Sequence, residues 1–175
     1  MEKHPAEASH DSPSHDSHPH NLPPLAWFHP APLIATVGGI GHLPVAPGTW
    51  ASLFALPCAW IIVQETGSMG LYIATLIVFC VGVWASDYLE RKTGNKDPGH
   101  IVIDEVAGQW LAILAIEPNL ILYGAGFVLF RLADIFKPWP VSWAERLPGG
   151  YGVMIDDILA GLYAGIGVYL LAMWL

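Results

Sequence analysis

The sequence predicts an all-α protein, a polytopic membrane helical bundle with short, partly broken helices and a polar site on its cytoplasmic face. Three observations carry that prediction. Hydrophobic residues make up 54% of the 175 positions and charged residues only 13%, about half the roughly 25% found in ordinary globular chains. Two runs, 70–86 and 158–175, contain no charged residue and reach the roughly 17–25 residues that cross a hydrocarbon core. The body's few charges gather in short patches between apolar stretches instead of spreading over a soluble surface. Mean hydropathy is correspondingly positive, +0.47.

The same composition excludes other classes. A net charge of −8 leaves no basic stripe to neutralise nucleic-acid phosphates. Cys58 and Cys80 both lie in apolar runs, where a thiol behaves as a small buried hydrophobe, and two cysteines make no disulfide scaffold. Residues 1–30 hold six of the eight histidines together with Pro, Ser and Asp. They read as a disordered His/Pro/Ser-rich cytoplasmic tail with no cleavable leader, although His-rich tracts also bind metals transiently. Residues 31–175 read as one helical membrane domain.

Within that domain the apolar runs follow in order. The run 52–63 is short and contains Pro57, so it either spans with its flanks or kinks. The run 70–86 is a full span. Asp97 and Pro98 offer an N-cap and a first helical position, which predicts a helix over 98–116 that stops ahead of Pro118. A second helix over 120–136 ends before Pro138, so 98–136 forms a helical hairpin turning at Glu117, Pro118 and Asn119. The final span is 158–175, where Gly161 and Gly165 give a small-residue face for close helix packing. Arg91, Lys92 and Lys96 in 87–100, and Lys137 and Arg146 in 137–155, place both loops in the cytoplasm, while 64–69 carries no Lys or Arg and lies outside.

Four polar patches then fall on the cytoplasmic side. In 37–49, glycines and prolines free backbone N–H groups that suit an oxyanion, against the plainer reading of a connector. In 97–108, Asp104 and Glu105 lie in a helix with His100 one turn earlier. Carboxylates at membrane depth cost about 2.5–3.5 kcal/mol, so they need a partner or a task unless they sit hydrated at the helix start. In 130–138, Arg131, Asp134 and Lys137 share a helical face. The arginine either pairs with Asp134 or grips a phosphate in bidentate fashion. In 149–157, Asp156 and Asp157 adjoin just before the last span, where a cation or a helix start would relieve their repulsion. Several carboxylates facing one boundary suit Mg²⁺, and basic neighbours suit phosphate.

At these patches the chain resembles the phosphatidylglycerophosphatase A family, through GGIGHLPVAPGT (38–49), DPGHIVIDEVAG (97–108), FRLADIFKPWP (130–140) and GGYGVMIDDILAG (149–161). The resemblance covers most of 33–165 and leaves out the tail. It implies a Mg²⁺-dependent phosphatase of the bacterial inner membrane, acting in phospholipid biosynthesis. The implied substrate is phosphatidylglycerophosphate, converted to phosphatidylglycerol and phosphate. On that basis Asp104, Glu105, Asp156 and Asp157 are expected to hold Mg²⁺, with Asp134 as ligand or support. Arg131 and Lys137 are expected to clamp the phosphate, with Gly41, His42 and Thr49 adding donors. Asp104, Glu105, Arg131, Asp134 and Lys137 form the expected catalytic group. The nucleophile is either a metal-bound water or one of the carboxylates. A membrane ion or metal transporter using the buried carboxylates is the alternative, opposed by the gathering of acids at one boundary and the lack of an inverted repeat. A CDP-alcohol phosphotransferase is set aside because its Asp-rich helical signature is absent.

Overall fold

The computed structural model of the chain describes residues 29–95 and 99–174. Its elements are α1 (Pro30–Ala35), a 3-10 turn (Ile40–His42), α2 (Pro47–Thr93), α3 (Ile103–Ile113), α4 (Leu120–Phe136), α5 (Val141–Ala144) and α6 (Gly150–Ala172). Among the described residues there is no strand. The expected tail lies outside them except at its last two positions. There His29 caps α1, accepting the Ala31 N–H at its Nδ1, and stacks its ring on Tyr88 at 4.3 Å.

Two helices, α2 and α6, are long and apolar enough to cross a membrane. A straight 47-residue helix would measure about 70 Å, yet α2 does not run straight. Gly67 interrupts it with φ 73° and ψ −179°, a conformation essentially confined to glycine. The limbs 47–66 and 68–93 run back on each other. Gly48 lies against Glu105 while Gly82 lies against Ile103, although 34 helical residues would separate them by about 50 Å. Pro57 sits inside the first limb without breaking it. The break falls within 64–69, where the sequence places the loop between the first two spans.

At the centre of the bundle, α3 is buried on nearly every side. Trp110 donates its indole N–H to the Ala55 carbonyl at 2.8 Å, which ties the first limb of α2 to α3. On the opposite side Gly161 leaves no room for a Cβ beside the Gly108 carbonyl, and Gly165 faces Leu111 and Ala112. The expected small-residue face of the last helix therefore packs directly on α3. The hairpin between α3 and α4 turns where the sequence predicts, with Asn119 Oδ1 accepting the N–H groups of Ile121 and Leu122.

Two helix starts differ from expectation. The helix predicted from residue 98 begins at Ile103, so His100 lies in a turn and not one helical turn before Asp104. The Val102 N–H is taken by the Ala35 carbonyl at 2.8 Å, which holds this stretch against α1 in place of a helical turn. Asp97 and Pro98 fall outside the described residues. The last helix begins at Gly150, eight residues before the predicted start. Its glycine-rich opening is explained by close approach: a Cβ on Gly150 would meet the Val83 carbonyl, and one on Gly152 the Leu147 carbonyl. Asp156 and Asp157 are consequently inside α6, and the helix-start explanation for their adjacency does not hold.

Gly67→Ala isolates the reversal, because a Cβ there meets nothing within 4 Å and only the backbone is penalised. The expected loss is about 1–3 kcal/mol, read as a lower thermal midpoint in detergent. An unchanged midpoint would show that the break does not depend on glycine.

Candidate active site

Four elements deliver charge to one cavity of about 300 Å³. The first turn of α3 supplies Asp104 and Glu105, the last two turns of α4 supply Arg131 and Asp134, and Lys137 caps that helix with φ 44° and ψ 58°. The second turn of α6 supplies Asp156 and Asp157, and the connector after α5 supplies Glu145. Six acids face two bases. The lining thus has a formal charge of −4, which repels a phosphate unless a cation or protons offset it.

The bases are already engaged. Arg131 Nη1 lies 2.9 Å from Asp134 Oδ2 and 3.9 Å from Glu105 Oε1, and donates to Ser52 Oγ at 3.4 Å. Lys137 Nζ donates to Asp156 Oδ2 at 2.9 Å and pairs with Glu145 Oε1 at 3.1 Å. Burial alone would lower the Lys137 pKa, but hydrogen bonds and charge from Asp156 and Glu145 outweigh it and hold the ammonium above its ordinary value. Lys137 is therefore cationic throughout the neutral range.

What remains is a trio. Asp104, Glu105 and Asp157 bring carboxylate oxygens within 4.8 Å of one another. Glu105 Oε2 and Asp157 Oδ2 are buried and accept no hydrogen bond. Buried acceptors rarely go without a partner, and three hard oxygen donors at this spacing fit a divalent cation such as Mg²⁺ or Mn²⁺. Asp156, expected among the metal ligands, is instead turned to Lys137.

The glycine-rich patch contributes differently from expectation. Ala46, Pro47 and Gly48 line the cavity at the start of α2, whereas Gly41, His42 and Thr49 do not. Gly41 packs on the His100 carbonyl, and His42 stacks on the His100 ring at 5.5 Å. Sequence reasoning also missed Ser52 and Glu145. Ser52 lies four residues beyond Gly48, on the same helical face, a spacing that places it beside the site once Gly48 is known to be there. Glu145 sits in an irregular connector with no periodicity to mark it.

Buried acids with room for a cation, faced by an arginine and a lysine at one end of a bundle, suit the chemistry of a helical phosphatase. The model of the phosphatidylglycerophosphatase A family matches residues 33–172. Phosphatidylglycerophosphatase A of Escherichia coli (strain K12) is 38% identical over 81% of this chain and 84% of its own length. The Haemophilus influenzae protein of the same name is 36% identical over 88% and 96%. A putative phosphatidylinositol-3-phosphatase of Bacteroides thetaiotaomicron is 40% identical over 77% and 88%. No solved structure matches. The chain belongs to the phosphatidylglycerophosphatase A family and is a phosphatase.

Gly48→Ala tests how the site is positioned. A Cβ there would collide with the Glu105 carboxylate, and a displacement near 1 Å costs on the order of a hundredfold in rate. The expected outcome is that loss of phosphatase activity with an unchanged helical circular-dichroism spectrum. Full activity would show that Glu105 need not lie against α2.

Proposed function

We propose that the protein is a Mg²⁺-dependent phosphatidylglycerophosphatase of the bacterial inner membrane. It removes the terminal phosphate of phosphatidylglycerophosphate, giving phosphatidylglycerol and phosphate in phospholipid biosynthesis. Residues 31–175 form the membrane domain, crossing more than once, with the site facing the cytoplasm and 1–30 a tail on the same side. The observation that carries this reading is the convergence of charged residues from three of the four family motifs, with Gly48 from the remaining one, on one cavity.

Asp104, Glu105 and Asp157 would hold the Mg²⁺, with Asp134 and Asp156 supporting from behind the bases. The bound ion would offset the carboxylate charge and polarise the phosphate. Each remaining group has a task set by its contacts. Lys137 has three N–H donors, and its bonds to Asp156 and Glu145 leave one to aim at a phosphate oxygen. Arg131 is held by Asp134 and Ser52 with its guanidinium toward the cavity. The start of α2 at Pro47 and Gly48 presents the positive end of a helix to the same anion. Every central carboxylate is then committed, three to the cation and two to the bases, so water and not an aspartate attacks the phosphorus. The terminal phosphate leaves as inorganic phosphate and the lipid alkoxide takes a proton.

A second headgroup is favoured by one observation, the similarity to the putative phosphatidylinositol-3-phosphatase. Phosphatidylinositol 3-phosphate shares the lipid-linked phosphate monoester and differs in the alcohol that carries it. The transporter alternative has no such support.

The test measures phosphate release from both lipids by purified protein in mixed micelles. Phosphatidylglycerophosphate hydrolysis is expected to require Mg²⁺, to fall on the order of a hundredfold or more in Asp104→Asn and Asp157→Asn, and to leave no labelled protein on acid quench. Faster release from phosphatidylinositol 3-phosphate would move the headgroup assignment. Activity indifferent to Mg²⁺ and to both substitutions would overturn the site.

A further inference from the structure

The segment between α4 and α6 does not stay at the level of the acids. Lys137 meets Asp156, but two residues later the Trp139 carbonyl accepts the Tyr163 hydroxyl at 3.0 Å. Tyr163 lies seven residues further along α6, about 10 Å at 1.5 Å per residue. A tyrosine side chain leaning back toward the helix start recovers only part of that distance. A second anchor agrees: Val141 is fully buried in a cluster with Ala160, Ala164 and Phe130, one to two turns beyond Asp156. The chain then returns, since the Leu147 carbonyl lies against Gly152. The path descends along α6 and climbs back.

Irregular backbone can lie at membrane depth only where its polar groups are satisfied, and local turns satisfy most of those in this segment. Pro138 and Pro140 have no N–H to satisfy. The Pro138 carbonyl accepts from Val141 at 2.8 Å, and the Pro140 carbonyl from Trp143 and Ala144 at 3.0 and 3.1 Å. The outward side chains are apolar and bare: Phe136 is 76% exposed, Trp139 78% and Trp143 54%. Bare aromatic groups of that size on a soluble loop would be a liability, but they suit the boundary between headgroups and acyl chains.

We propose that residues 137–144 form a re-entrant lip over which a membrane-resident phospholipid passes its phosphate sideways into the cavity, its glycerol and acyl portion resting against Phe136, Trp139 and Trp143. The partner is a diacyl lipid carrying a phosphate monoester. Lys137 belongs to both the lip and the cavity lining, so the apolar surface leads directly to the phosphate-binding cation. This inference rests on the membrane placement proposed above and adds the route by which the substrate arrives.

Two measurements test it on the full chain. Trp139→Cys and, separately, Trp143→Cys are placed in a Cys58→Ala, Cys80→Ala background, labelled with a nitroxide and reconstituted in phosphatidylethanolamine–phosphatidylglycerol vesicles. The labels are expected to be more accessible to oxygen than to a water-soluble nickel chelate. The reverse order at both positions would overturn the lip whatever the enzyme hydrolyses. In the second measurement Trp139→Ser,Trp143→Ser is compared with the unaltered protein on phosphatidylglycerophosphate in mixed micelles and on the same headgroup without acyl chains. The ratio of kcat/KM for lipid over soluble substrate is expected to fall about tenfold, the effect of some 1.4 kcal/mol of lost apolar contact. An unchanged ratio would overturn lateral entry. Failure of the unaltered protein on both substrates would instead count against the headgroup assignment, and the nitroxide result would then decide the lip by itself.

Discussion

Three carboxylates with oxygens within 4.8 Å of one another repel, when all are ionised, by roughly 3 kcal/mol per pair at an effective dielectric near 20, and the packing of two helices must hold them together. Asp104 and Glu105 come from α3 and Asp157 from α6, so the site exists only if those two helices touch closely. Gly108 and Gly161 allow backbone contact just beyond the acids, where a Cβ on Gly108 would sit 2.6 Å from the Asp157 carbonyl. Larger residues there would separate the helices, and with them the acids. A cation held among the three oxygens would relieve a repulsion the fold itself imposes.

The basic residues follow from the same constraint. Arg131 reaches the trio only at 3.9 Å, from Glu105 Oε1, and Lys137 is bonded outside it. Each is drawn to a flanking acid, Asp134 for the arginine and Asp156 for the lysine, which fixes it at the rim facing the acids. Two cations placed this way offset Asp134 and Asp156 and leave the inner carboxylates open to a cation. Lys137 needs a left-handed backbone conformation to reach its position, and Pro138 immediately beyond prevents the helix from continuing.

Much of this was legible in the sequence. The turn at Glu117, Pro118 and Asn119 follows from a proline between two apolar runs, and the end of α4 from Pro138, both local signals. The acids that gather at the site, all but Glu145, could be named because carboxylates are scarce in so apolar a chain. The starts of α3 and α6 could not, since each is decided by tertiary contact: Val102 bonds to Ala35, and Gly150 lies against the distant Val83 carbonyl. The division of labour between Asp156 and Asp157 was equally hidden. Neighbouring residues on a helix point about 100° apart, and only the positions of Lys137 and Glu105 determine which aspartate meets which partner.

That division is the central claim, and binding of Mn²⁺ to the full-length protein tests it most directly, with the unbound ion followed by electron paramagnetic resonance. Saturable binding is expected to disappear in Asp104→Asn and in Asp157→Asn and to persist in Asp156→Asn, whose carboxylate meets Lys137. No saturable binding by the unaltered protein, or equal loss in all three variants, would contradict it.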